Sequence, residues 1–119
     1  MTDRKQACIE KLRRYDAMCQ ATENLLTEIE RLKILRNFAD VRKLQKERKC
    51  AILWCEQVDR AMQVLSPEEK LILSRLYMYP RRRNIDRLCT ELGCEQSSVY
   101  RRRDKALGKF CMALRGIEN

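Results

Sequence analysis

The stretch NIDRLCTELGCEQSSVYRRRDKALGKF, residues 84 to 110, decides the fold. In its first part, apolar residues recur at the spacing that places them on one side of a helix, and these are Ile85, Leu88, Cys89 and Leu92. Gly93 follows where a residue that tolerates a left-handed backbone would end a helix. A second helix can begin three residues later, with an apolar side made of Val99, Ala106, Leu107 and Phe110. Helix, short glycine-containing turn and helix together predict a helix-turn-helix, whose second helix enters the DNA major groove.

Charge favours this interpretation over a plain helical hairpin inside an all-α core. Residues 81 to 115 hold ten Lys or Arg and four Asp or Glu, a net charge of +6. A hairpin that serves only core packing does not need this excess. Cys89, four residues before Gly93, is small enough for two helices to cross closely at that point.

The segment SVYRRRDKALGKF resembles the recognition helix in the fourth conserved region of housekeeping-type sigma factors. The likeness consists of β-branched Val99, the polar positions after it, and a Lys-Ala-Leu run that leads to Lys109 and Phe110. The same arrangement behind a long helical segment resembles small phage transcriptional regulators of the ArpU and RinA kind, which fit the length and order of parts better. The resemblance extends over residues 65 to 114 and is only architectural before them. It implies a sequence-specific regulator that binds double-stranded DNA and activates phage late genes.

Matching the chain to these families residue by residue implies where DNA is contacted. The expected base-reading residues are Gln96, Ser97, Tyr100 and Arg101. Glutamine can pair with adenine edges and arginine with guanine, while the tyrosine can pack on a thymine methyl or reach a phosphate. The expected phosphate-binding residues are Arg81, Arg82, Arg83, Arg103, Lys105 and Lys109.

The three successive arginines lie in a loop that we expect to end at Asn84, as the cap of the next helix. Cations beside a helix N-terminus suit a phosphate, and a merely solvated loop is the alternative. Two positions depart from the families. Glu95 stands at the expected cap of the second helix, where Ser or Thr is usual. Arg102 stands where an apolar residue is usually buried, so it must extend outward along the helix or share the rim with Arg103.

Upstream, Ser66-Pro67-Glu68-Glu69 carries the clearest local signal in the chain. It combines a capping serine, proline at the first helical position and a glutamate that closes a capping box. The apolar helix that follows should end near Tyr79, because Pro80 restricts the residue before it. We therefore predict a C-terminal three-helix helix-turn-helix domain over residues 65 to 119.

The first 64 residues predict an antiparallel, coiled-coil-like helical hairpin. A first helix over residues 3 to 36 and a second from Val41 to Val64 each repeat apolar residues at spacings of three and four, and Asp40 is the expected cap between them. Arg48 interrupts the second seam. Trp54 lies off it, so it packs under the C-terminal domain or marks a partner surface. Two hairpins would cover both seams as a four-helix bundle, so we expect a homodimer; a monomer is the alternative.

Composition limits the remaining classes. The 119 residues carry a net charge of +9, which favours a polyanionic partner. No stretch approaches the roughly 20 apolar residues that span a bilayer, and no apolar run follows the basic N-terminus, so a cytoplasmic protein is expected. The chain has seven cysteines and no histidine. We interpret most of the cysteines as small buried apolar residues, and expect neither a disulfide framework nor zinc, nor any cofactor.

Three functions remain open. The first is the transcription regulator. The second is a DNA-binding subunit of a packaging machine, like a small terminase subunit, which a ring of subunits would favour. The third is a sigma-like module that binds RNA polymerase without reading DNA alone. An enzyme is not expected, because no Gly-rich phosphate loop, activated nucleophile or carboxylate pair is recognisable.

Overall fold

The computed structural model describes residues 3 to 114, which fold into five α-helices and contain no β-strand. The helices are α1 (Asp3–Ile34), α2 (Phe38–Gln63), α3 (Pro67–Leu73), α4 (Asn84–Leu92) and α5 (Gln96–Leu114). Helix α3 continues into a π-helical turn, Ser74–Met78. The prediction of an all-α fold is thus confirmed.

Helices α1 and α2 lie side by side and run in opposite directions. Near the middle, the Tyr15 hydroxyl on α1 donates a hydrogen bond to Asp59 on α2 at 2.5 Å. Near the connector, Ile29 and Leu32 pack with Val41 in a small buried cluster. The order of these contacts along the two helices shows that α1 and α2 are antiparallel.

Arg48 occupies the seam between these helices without an acidic partner in the contact. Its Nε donates to the Thr22 carbonyl at 3.0 Å, and the Thr22 hydroxyl donates to the Cys19 carbonyl at 2.7 Å. A helical carbonyl can accept this second bond because it has two lone pairs. The seam therefore continues past the arginine to Cys55, whose Sγ lies 3.7 Å from that of Cys19.

The connector between α1 and α2 is shorter than predicted, and Asp40 is not the cap. Arg36 adopts a left-handed conformation with φ of 59°, and the Asn37 amide donates to the Leu32 carbonyl at 3.0 Å, which closes α1. Asn37 then caps α2 directly, because its side chain accepts the Asp40 amide at 3.4 Å. Asp40 lies inside the first turn of α2.

The capping box at the start of α3 is confirmed. The Ser66 hydroxyl accepts the Glu69 amide at 3.2 Å, and the Glu69 carboxylate accepts the Ser66 amide at 3.0 Å. The helical segment ends at Met78, and Tyr79 is its C-cap directly before Pro80, so the predicted end near Tyr79 is confirmed. The widening into a π-helical turn was not predicted; there the Tyr79 amide donates to the Ser74 carbonyl, five residues back, at 2.8 Å.

One hydrophobic core joins the first part of α1 and the last part of α2 to the C-terminal helices. Side chains with no exposed surface come from four helices, and these are Leu12, Val58, Leu73, Leu107 and Phe110. Helix α5 is therefore fixed against the hairpin as well as against α3. The division at residues 64 and 65 stays a prediction about the sequence, since packing is continuous across it.

Candidate nucleic-acid interface

Helices α4 and α5 are held together by a separate small cluster. Ile72, Leu88 and Val99 form its centre, and none of them is exposed. The turn between the helices begins at Gly93, which has the left-handed φ of 63° expected from the sequence. The Cys94 amide donates to the Cys89 carbonyl at 3.1 Å and completes the end of α4. The geometry of this turn therefore follows from the glycine and from burial on both sides of it.

Glu95 begins α5 through its backbone, as the sequence led us to expect. Its carbonyl accepts the amides of Ser98 and Val99 at 3.0 and 3.1 Å. Its side chain is exposed. The Glu95 carboxylate therefore lies at the N-terminus of α5, where a negative charge interacts favourably with the helix dipole.

The four residues expected to read bases all lie on the exposed surface of the first turns of α5. Gln96, Ser97 and Arg101 are exposed, and Tyr100 keeps 36% of its surface exposed. Ser97, Arg101 and Lys105 follow at intervals of four, so they form one stripe along the helix. Val99 points to the opposite side, into the cluster beneath.

Arg103, an expected phosphate ligand, is engaged within the protein. Its guanidinium carbon lies 4.9 Å from the centre of the Tyr100 ring, and Nη2 lies 2.9 Å from the Asp104 carboxylate. Only 21% of its side chain is exposed. It also faces buried Tyr77: burial raises the pKa of that phenol, and the nearby Arg103 charge counteracts the rise.

Lys109, another expected phosphate ligand, also has a partner in the protein. Its Nζ lies 3.0 Å from Glu69 Oε1 in the capping box of α3. Arg102, seven residues or about two turns earlier on α5, makes the parallel contact, with Nη1 2.7 Å from Glu68 Oε1. Arg102 therefore extends outward along the helix, which was the first of the two outcomes expected for it.

The arginine loop is exposed at all three positions, Arg81, Arg82 and Arg83. Arg83 has a left-handed backbone, with φ of 58°, and its carbonyl accepts the Arg87 amide at 3.0 Å. The cap of α4 is thus Arg83, and the prediction of Asn84 is wrong. The left-handed turn brings Asn84 into the helix as its first residue.

Arg87 is a further candidate that sequence reasoning did not single out. It is exposed on α4, one turn after Arg83, and both line a shallow polar groove of about 370 Å³ with Asp86, Thr90 and Glu91. The spacing of four between the two arginines was the available signal. Both cations stand near the N-terminus of α4, whose dipole adds to their attraction for a phosphate.

Within residues 3 to 114, no cluster of three or more His, Cys, Asp or Glu side chains could hold a metal ion. No helix in that range has the length and apolar character needed to cross a membrane. Comparisons of the chain with known protein families, curated proteins and solved structures gave no match. The interpretation of the site therefore depends on its residues and their geometry.

Proposed function

We propose that the chain is a sequence-specific regulator of transcription that binds double-stranded DNA through a helix-turn-helix formed by α4 and α5. The observation that carries this proposal is the exposed stripe of Ser97, Arg101 and Lys105, on a helix whose opposite side is anchored by fully buried Val99. A helix held in this way can enter a major groove with its polar side foremost.

Base readout falls to the first two turns of α5. Arg101 can donate two hydrogen bonds to one guanine edge, and Gln96 can form a paired contact with adenine. Tyr100 offers its ring to a thymine methyl, and the stacked Arg103 guanidinium limits the directions in which that ring can turn. We assign Arg103 this positioning role in preference to a phosphate contact.

We expect the phosphate contacts to come from cations that form no ion pair with another described residue. These are Arg81, Arg82 and Arg83 of the loop, Arg87 on α4, and Lys105 at the end of the exposed stripe. Lys109 would have to exchange Glu69 for a phosphate, so we expect it to contribute less. Such contacts set the register of the protein on DNA without reading sequence.

The resemblance to phage regulators of the ArpU and RinA kind supports activation of late genes as the biological role. A homodimer through α1 and α2 would present two such helices to two half-sites. Regulators that bind in this way place their half-sites about 34–36 Å apart or at multiples of that distance. The operator would then be an inverted repeat.

The test is a binding selection from a random pool of duplex DNA, followed by titration of the enriched duplex and a scrambled duplex at several salt concentrations. We expect one enriched motif and a preference of about 10³-fold or more over scrambled DNA. Absence of a motif, or equal affinity for both duplexes, would contradict the proposal.

A second candidate is the sigma-like module that binds RNA polymerase. It is favoured by three large apolar side chains exposed at the α1–α2 connector, namely Ile34 at 82%, Leu35 at 60% and Phe38 at 57%. Exposed Arg36 lies between them, so an apolar partner surface with acidic surroundings would fit. Binding of purified RNA polymerase that is lost in Phe38→Glu, without any selected DNA motif, would favour this candidate.

A further inference from the structure

An apolar groove runs between α1 and α2 at the middle of the hairpin. Its apolar lining consists of Met18 of α1 with Cys50, Ala51 and Trp54 of α2, and its charged lining consists of Lys43, Lys46 and Glu47. Its volume is about 500 Å³. We refer to it as the Trp54 groove.

Trp54 forms a fixed wall of this groove. One part of its side chain packs against the main hydrophobic core, which restricts its movement. The Arg14 guanidinium carbon lies 5.8 Å from the ring centre. Aromatic side chains that are held in this way are the usual anchors of protein interfaces.

We propose that the Trp54 groove binds the same groove of a second copy of this chain, with a two-fold axis that passes beside Cys50. Met18 is near the middle of α1 (Asp3–Ile34) and Cys50 near the middle of α2 (Phe38–Gln63). An axis at this point lets the two hairpins overlap along most of their length. The proposal identifies the surface used by the dimer of the proposed function, and it depends on that function only for its biological role.

The size of one side of the hairpin is comparable with the area that each partner buries in a stable dimer. Helix α1, with 32 residues, is about 48 Å long, and each helix is about 10 Å wide. One side of the pair therefore measures on the order of 800 Å², which is the share of one partner in a standard interface. The exposed patch of Ile34, Leu35 and Phe38 occupies only one end of the hairpin and offers less.

The groove is also complementary to itself. Lys46 lies four residues before Cys50, and Trp54 lies four residues after it. If two α2 helices cross antiparallel at Cys50, the Lys46 ammonium of one copy meets the Trp54 ring of the other, twice. Cation–π contacts of this kind stabilise an interface. The two-fold axis makes the contact occur twice, with the roles of the two copies exchanged. Leu53, 48% exposed, lies three residues after Cys50 and adds apolar surface beside the axis.

The test compares the mass in solution of the wild-type chain and two charge-matched variants at tens of micromolar. Cys50→Glu places a carboxylate at the axis. Gln45→Glu adds the same charge at another exposed position of α2, beside a different groove formed with Leu26. We expect the wild type and Gln45→Glu to have twice the 14.2 kDa of one chain, and Cys50→Glu to have the mass of one. Helical circular dichroism should be the same for all three.

A short bis-maleimide provides an independent measurement, because Cys50 is the one exposed cysteine of the seven. It should link two wild-type chains, and Cys50→Ser should abolish the link. A wild-type mass of one chain would overturn the proposal. A dimer that survives Cys50→Glu, or one that dissociates only in Phe38→Glu, would overturn it as well. No DNA enters these measurements, so a failure of the dimer is distinguishable from a failure of the DNA selection.

Discussion

Lys109 and Glu69 are joined through a single carboxylate oxygen. Glu69 Oε1 accepts the Lys109 ammonium at 3.0 Å and the backbone amide of Ser66, also at 3.0 Å. The atom that closes the capping box of α3 therefore also fixes α5. Since α5 carries the proposed base-reading residues in its first two turns, this contact helps to set the direction in which they point.

The first prediction concerns Glu69→Gln, which can keep the capping box but loses the charge. We expect a loss of about 1–2 kcal/mol in the free energy of unfolding at neutral pH, because a hydrogen bond to a charged group becomes a neutral one. Chemical denaturation monitored by circular dichroism measures it. Lys109→Gln is the matched control, and the double variant should lose less than the sum of both if the residues interact.

The second prediction is the pH dependence of that contribution. Burial raises the pKa of Glu69, but the Ser66 amide, the Ser66 hydroxyl and the Lys109 ammonium outweigh burial and hold the pKa below its usual 4.5. Since the folded pKa is the lower one, the stabilisation is complete above pH 4.5 and declines as pH falls through the folded value. The difference in stability between wild type and Glu69→Gln should therefore shrink in acid. A difference that grows in acid would contradict this pKa direction.

The third prediction uses two glycines as a pair. An added Cβ at Gly93 or at Gly108 meets no atom within 4 Å beyond the neighbouring residues and the local helix backbone, so backbone conformation decides both outcomes. Gly93→Ala should lose about 1 kcal/mol of stability, because φ is 63°. Gly108→Ala should gain about 0.5–1 kcal/mol, because it lies inside α5. Thermal melts check both signs, and equal effects would contradict the left-handed turn.

The fourth prediction separates base reading from phosphate binding. Arg101→Ala should lose about 1–3 kcal/mol on the selected duplex and little on scrambled DNA, whereas Arg82→Ala should weaken both alike. Fluorescence anisotropy measures both affinities. Arg42→Ala removes the same charge from an exposed position on α2 and should leave the preference for the selected duplex unchanged. Equal losses on both duplexes for Arg101→Ala and Arg82→Ala would refute the division.

The fifth prediction compares two cations of α5. Lys105→Ala should reduce the slope of log affinity against log salt by about 1, since a phosphate contact is lost. Arg103→Ala should leave that slope nearly unchanged, because its charge is already paired with Asp104. It should instead alter the preference for the base beneath Tyr100. A larger change of this slope for Arg103→Ala than for Lys105→Ala would indicate that Arg103 binds a phosphate, and would contradict its positioning role.

Sequence signals correctly predicted those helix ends whose geometry depends on contacts within a few residues. The capping box at Ser66 and the left-handed Gly93 could be predicted because the atoms that satisfy them lie within four residues. The sequence prediction put the caps of α2 and α4 at the wrong residues, and the structure has them at Asn37 and Arg83. Near each boundary a non-glycine residue, Arg36 or Arg83, adopts a left-handed conformation that its residue type does not predict.

Contacts distant in sequence could not be predicted. The pairing of Arg102 with Glu68 joins residues 34 positions apart, and that of Lys109 with Glu69 joins residues 40 apart. Which exposed cations of α5 stay available therefore depends on the packing of α3. The match to the resembling families had placed Arg103, Lys105 and Lys109 in one group of phosphate-binding residues.

Methylation interference on the selected duplex tests the central claim most directly, because methyl groups at guanine N7 lie in the major groove. We expect at least one guanine at which methylation weakens wild-type binding and no longer weakens binding by Arg101→Ala. If no guanine interferes, or if every interfering guanine does so equally with Arg101→Ala, the leading end of α5 does not read the groove.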